Sequence, residues 1–84
     1  MRVTYAEVIQ NRILFLCEKR KISINKLATM SGLTQSTLDS VVRGVTKNPT
    51  LRTLHKVATG FSLTVSEFLD FPEMNEELFE DSGE

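Results

Sequence analysis

The sequence predicts an all-α domain of five short helices, and three observations carry that reading. Apolar residues recur at threes and fours along most of the chain, and Ser or Thr opens four of these stretches. No segment sustains the two-residue alternation of a strand; the β-branched cluster VVRGV straddles a glycine stop. With 84 residues and no internal repeat or Gly/Ser linker, the chain is one domain with a thin core to which every helix must contribute.

The elements follow in order. Tyr5, Val8, Ile9, Ile13, Leu16 and Cys17 form one stripe of a helix running to about Arg20. Ser23 caps a second helix, in which Ile24, Leu27 and Ala28 share a face and Gly32 follows the end. Thr34 caps a third, with Leu38, Val41 and Val42 inward and Gly44 as its stop. VTKNP over 45–49 is a loop, because Pro49 disfavours helix at Asn48. Thr50 caps a fourth helix with Leu51, Leu54, Val57 and Ala58 inward, ended by Gly60. Thr64 and Glu67 make a capping box that opens a fifth through Val65, Phe68 and Leu69.

The remainder, DFPEMNEELFEDSGE, sets Met74, Leu78 and Phe79 at helical spacing among many acids. Asp70 with Glu73 can cap a sixth helix there, and residues 80–84 are expected to fray. The division is a helix-turn-helix domain over 1–71 and an acidic tail over 72–84. Phe15 falls about 100° from Leu16 and about 200° from Ile13, off the first stripe. Either the tail (Met74, Leu78, Phe79) or a second subunit covers it, or it stands as a single exposed apolar residue.

Composition narrows the function. Forty per cent apolar and 25% charged residues is ordinary globular composition. All ten Lys and Arg fall within residues 1–60, which carry a net +7, whereas residues 61–84 hold eight acids and no base. Such asymmetry suggests a basic surface for a polyanion joined to an acidic tail. Cys17 is the one cysteine, which excludes an internal disulfide or a Cys-based zinc site and fits a reducing cytoplasm. It sits on the inward stripe and reads as a small hydrophobe. His55 has no second ligand nearby in sequence, so no metal or other cofactor is expected. ILFLC (13–17) is too short for a signal core or a membrane span. No nucleophile elbow, phosphate loop or acid pair stands at usable spacing, so catalysis is not expected.

LATMSGLTQSTLDSVVRG, residues 27–44, carries the functional signal. Two helices of about eight residues around a tight glycine turn form a helix-turn-helix. With Leu38 inward, Ser36, Ser40 and Arg43 point outward at about 100° per residue, and Gln35 lies at the N-terminal tip. Short or hydrogen-bonding groups are what a helix needs to approach base edges in the roughly 12 Å major groove. Gln pairs with adenine and Arg with guanine, while Ser serves either. The helix N-terminus and the Thr34 hydroxyl suit a phosphate oxygen. Arg43 can instead pair with Asp39 at i−4.

These residues resemble the phage-repressor, or Cro/XRE-type, helix-turn-helix family over 12–69. The resemblance rests on RI-x-x-L (12–16), IS-x-x-x-LA (22–28), SGLTQSTL (31–38), V-x-x-G (41–44), NPTLRTL (48–54) and VSEFL (65–69). It implies a compact five-helix DNA-binding domain of bacterial or phage type, commonly a homodimer on inverted repeats. Gln35 and Ser36 match the family's base-reading tip, and Ser40 a second groove-facing position. Lys47 and Asn48 match a loop that meets the sugar-phosphate backbone, and Thr50 the start of the fourth helix. Lys21 stands where the family often has glycine, and Ile24 where it often has glutamine; Asn25 or Lys26 then supplies the phosphate contact. The expected DNA-facing set is Asn25, Lys26, Thr34, Gln35, Ser36, Thr37, Ser40, Arg43, Lys47, Asn48 and Thr50. The function expected is a cytoplasmic, sequence-specific transcriptional regulator, a repressor reading double-stranded DNA as a homodimer. The alternative is an antitoxin-like interaction module whose acidic tail engages a protein partner.

Overall fold

The computed structural model describes residues 2–76 and 78–79. Its helices are α1 (Tyr5–Arg20), α2 (Ile24–Ser31), α3 (Gln35–Val42), α4 (Leu51–Gly60), α5 (Val65–Phe68) and α6 (Pro72–Glu76). The sixth helix that the sequence left open is therefore present. Asp70 does not cap it: its carboxylate accepts from the Asn75 amide at 3.2 Å, and the Phe71 carbonyl takes the N–H groups of Met74 and Asn75 instead. To the helices the structure adds a two-residue parallel pair, β1 (Arg2–Val3) with β2 (Leu78–Phe79), in the register Val3↔Phe79. A pair so short leaves no periodicity to read.

α2 packs on α4, and α1 on α3. Phe61, Phe68, Ile13, Leu27, Leu38 and Val57 are fully buried where these pairs meet. The Phe61 and Phe68 rings stack with centroids 6.3 Å apart, and burying each contributes about 1.5–3 kcal/mol. Cys17 is part of this core, and burial pushes its thiol pKa up. Two residues expected inward are not. Leu51 is 68% exposed, because at the first position of α4 it precedes the turn that meets the core. Tyr5, first in α1, is 37% exposed, and Ala6 beside it is buried.

Helix stops explain most of the connections. Four helices end in the paired bonds of a Schellman motif. Ile22, Leu33, Val45 and Leu63 N–H groups reach back to the carbonyls of Cys17, Ala28, Ser40 and Ala58. The residue before each takes a left-handed conformation: Lys21 (φ 56°), Gly32 (75°), Gly44 (76°) and Ser62 (61°). Glycine marked two of the four for the sequence reading. At Lys21 the conformation costs an L-residue about 1–2 kcal/mol, which is a physical reason for the glycine the family often carries there. Gly60, as expected, is the last residue of α4, but without a left-handed conformation. It sits where α4 crosses α2, and a Cβ there would stand 2.3 Å from the Ser31 hydroxyl.

Two arginines of α1 hold the far ends of other helices. Arg12 donates from Nε to the Phe68 carbonyl at 2.8 Å and from Nη2 to that of Glu67 at 3.1 Å, with its guanidinium 4.9 Å from the Phe71 ring centroid. Arg20 donates to the Phe61 carbonyl at the end of α4. Carbonyls left over at helix C-termini are natural acceptors for such cations. Part of the basic excess of residues 1–60 is thereby committed to the fold.

Candidate nucleic-acid interface

α2, the Gly32 reversal and α3 build the helix-turn-helix from the expected residues. Leu27 and Ala28 bury the inner face of α2, Leu38 and Val41 seat α3, and Leu33 and Val42 pack at the edge of the same cluster. With those side chains fixed, α3 turns its other face outward. Gln35, Ser36, Thr37 and Arg43 are exposed and Ser40 is half-buried. Gln35 Nε2 donates to Asp39 Oδ1 at 3.1 Å. Of the two options for Arg43, the i−4 pairing is not formed: among the described residues Asp39 receives Gln35 and the Arg43 head group has no partner.

The bond to Asp39 uses one amide proton of Gln35. Its second proton and its carbonyl oxygen remain, and that donor–acceptor pair is what adenine N7 and N6 require. Asp39 thus orients the Gln35 amide.

The other expected residues stand at the starts of two further helices and in the loop before one of them. Asn25 and Lys26 are exposed in the first turn of α2, where the Ser23 hydroxyl accepts the Lys26 N–H at 3.0 Å. Lys47 and Asn48 are exposed in the loop before α4, and Thr50 caps that helix by accepting from the Thr53 N–H at 3.1 Å. At α3, Thr34 accepts the Thr37 N–H at 3.1 Å and donates its own hydroxyl proton to Thr37 Oγ1 at 2.9 Å. Thr50 does the same to Thr53 Oγ1 at 3.1 Å. Each arrangement leaves the second threonine with a hydroxyl proton for an outside acceptor. Thr53 escaped the sequence reading, although the repeated T-x-x-T at 34–37 and 50–53 was the signal that could have found it.

None of α2, α3 and α4 carries an acid in its first turn. The positive end of each of these helix dipoles is not compensated by an acid of its own first turn, which favours an anion. Among the described residues no helix is long and apolar enough to cross a membrane.

A seated α2, a glycine reversal and a polar outward α3 define a helix-turn-helix DNA-binding domain. A model of the Cro/C1-type HTH DNA-binding domain matches residues 12–73, and the chain belongs to that family. It is 42% identical over 60 residues to the HTH-type transcriptional regulator SlrR of Bacillus subtilis (strain 168), a match covering 70% of this chain and 40% of that protein. Its fold is similar to that in the crystal structure of the prophage Lp1 protein 11, with a TM-score of 0.77 and 36% identity over 90% of this chain and 99% of that one.

Proposed function

We propose that this chain is a transcriptional regulator that reads operator DNA in the major groove with α3, as a homodimer, and represses where the operator overlaps a promoter. The observation that carries the reading is the polar, outward α3 of a helix-turn-helix, together with first turns of α2, α3 and α4 that lack acids. In this reading Gln35 and Ser36 contact bases at the tip of α3, with Ser40 and Arg43 further along the same face. Thr34, Thr37, Asn25, Lys26, Lys47, Asn48 and Thr50 hold phosphates, joined by Thr53. The phosphate contacts give salt-sensitive affinity by releasing counterions, and the base contacts give sequence preference. The likeness to SlrR, a transcriptional regulator, supports the regulatory role.

Selection from a random duplex library tests this. The expected result is an enriched inverted repeat with half-site centres about 10–10.5 base pairs apart, or a multiple of that. Gln35→Ala then loses preference at one defined base pair. Weak, salt-sensitive binding without enrichment would overturn the operator reading.

A further inference from the structure

Two residues are out of keeping with the surface around them. Phe15 of α1 is 53% exposed, with Lys19 5.8 Å from its ring centroid. Met74 of the tail packs against the core cluster, and the side chains of Leu78 and Phe79 lie outside the described residues. Asp39 is the more telling of the two, an acid on the one helix that otherwise turns neutral and basic groups outward. On the reading of α3 as the helix that enters the major groove, we propose that Asp39 is a positioning residue for base selection. It holds the Gln35 amide in one of its two orientations, so that this side chain takes adenine and refuses guanine.

An amide has two unlike ends, and a carboxylate can bind only one of them. Gln35 and Asp39 stand one turn apart on the same face of α3, and Gln35 Nε2 donates to Asp39 Oδ1 at 3.1 Å. A carboxylate accepts and cannot donate, so it takes the NH2 end of the amide. Turned over, the amide would set Oε1 against Oδ1, two acceptors with no proton between them. Gln35 is exposed and Asp39 half-buried, so the anchor is the more enclosed of the pair. Among the described residues no other side chain donates to Asp39.

Held this way, Gln35 keeps one N–H and Oε1 for a base. Adenine offers N7 to the N–H and its N6 amino group to Oε1. Guanine offers N7 and O6, so Oε1 would meet a second acceptor. An unanchored amide escapes that clash by turning its NH2 end toward both guanine acceptors. Asp39 opposes the turn, because its own hydrogen bond would be given up. The negative charge has a second effect: beside phosphates it lowers affinity for every duplex alike. Affinity falls everywhere, and the ratio between bases rises.

The test uses the full chain and a selected operator, remade with each of the four base pairs at the position whose preference Gln35→Ala abolishes. Competition read by fluorescence anisotropy gives affinity ratios between duplexes, which do not depend on the fraction of protein folded. The unsubstituted chain is expected to favour adenine over guanine about tenfold or more. Asp39→Asn keeps the shape but can donate as well as accept, so both orientations of Gln35 are satisfied. The ratio should then fall to about threefold or less through a gain for guanine, on top of tighter binding to all duplexes. Asp39→Glu returns a carboxylate and should restore the preference. An unchanged ratio in Asp39→Asn, with every duplex bound more tightly by one factor, would overturn the proposal and leave Asp39 a repulsive charge. A ratio lost equally in Asp39→Glu would overturn it too, since a carboxylate would not be what matters. If Gln35→Ala alters no base preference, the base-reading role of Gln35 itself fails, and that result is in hand before any Asp39 variant is made.

Discussion

The five helices that open on a hydroxyl cap, α1 to α5, fall into two kinds. α1 and α5 begin with a full capping box: Thr4 and Thr64 each accept the N–H of a glutamate three residues on, and Glu7 and Glu67 accept back from the threonine N–H at 3.1 and 2.9 Å. α2, α3 and α4 keep the hydroxyl cap but place Lys26, Thr37 and Thr53 where the glutamate would be. One set of ends carries its own anion. The other set offers a partial positive charge and free donors to something outside. A cap completed by glutamate is the better local design for stability, so its omission at three successive helices, and its use at α1 and α5, separates ends built to hold the fold from ends proposed to meet phosphate.

The largest expected effect comes from converting one kind into the other. Thr37→Glu completes a capping box on α3. It should raise stability by about 0.5 kcal/mol while lowering operator affinity about 100-fold or more through repulsion of phosphate. Denaturant melts and fluorescence anisotropy on a selected operator read the two quantities separately. Undiminished DNA binding would remove the distinction between the two kinds of end.

Next in size is Arg12→Ala. Losing both carbonyl contacts and the stack on Phe71 should cost about 1.5–3 kcal/mol of stability and leave operator affinity and its salt dependence unchanged. A reduced salt slope would place Arg12 among the phosphate contacts after all. Thr64→Ala is a smaller change of the same sort, costing about 1 kcal/mol with no effect on DNA. Thr34→Ala should lose a similar amount and also bind operator more weakly, so the pair compares a structural cap with one that also faces DNA. Smallest is Lys21→Gly, which relieves a left-handed residue and should stabilise by about 0.5–1 kcal/mol, read as a raised denaturation midpoint.

How much of this was legible follows from range. Ser23, Thr34, Thr50 and Thr64 announced helix starts because a cap and its partner lie within three residues. The Thr4–Glu7 box had the same signal and passed unremarked. The stops at Gly32 and Gly44 were visible; those at Lys21 and Ser62 were hidden, because residues ill-suited to a left-handed turn are held there by bonds to the preceding helix. Gly60 was read correctly as the end of α4, but the reason for a glycine there lies in Ser31, on a helix distant in sequence. Arg12 and Arg20 counted toward a basic surface because their carbonyl acceptors, 56 and 41 residues away, leave no mark near them. In the interface, spacing alone picked out Gln35, Ser36 and Arg43 as exposed, and the role of Asp39 emerged only with its bond to Gln35.

The crossing at Gly60 and Ser31 is a joint at the C-terminal ends of both α4 and α2. From that joint α2 runs about 10 Å and α4 about 13 Å to their first turns. Those first turns are two of the places proposed to touch the phosphate backbone. The missing methyl at position 60 therefore sets a length as well as a packing distance. A Gly60→Ala protein that folds with α2 and α4 pushed apart should bind more weakly to every duplex by the same factor in a selection experiment, its sequence preference unaltered: an error of measurement, with the alphabet still read correctly.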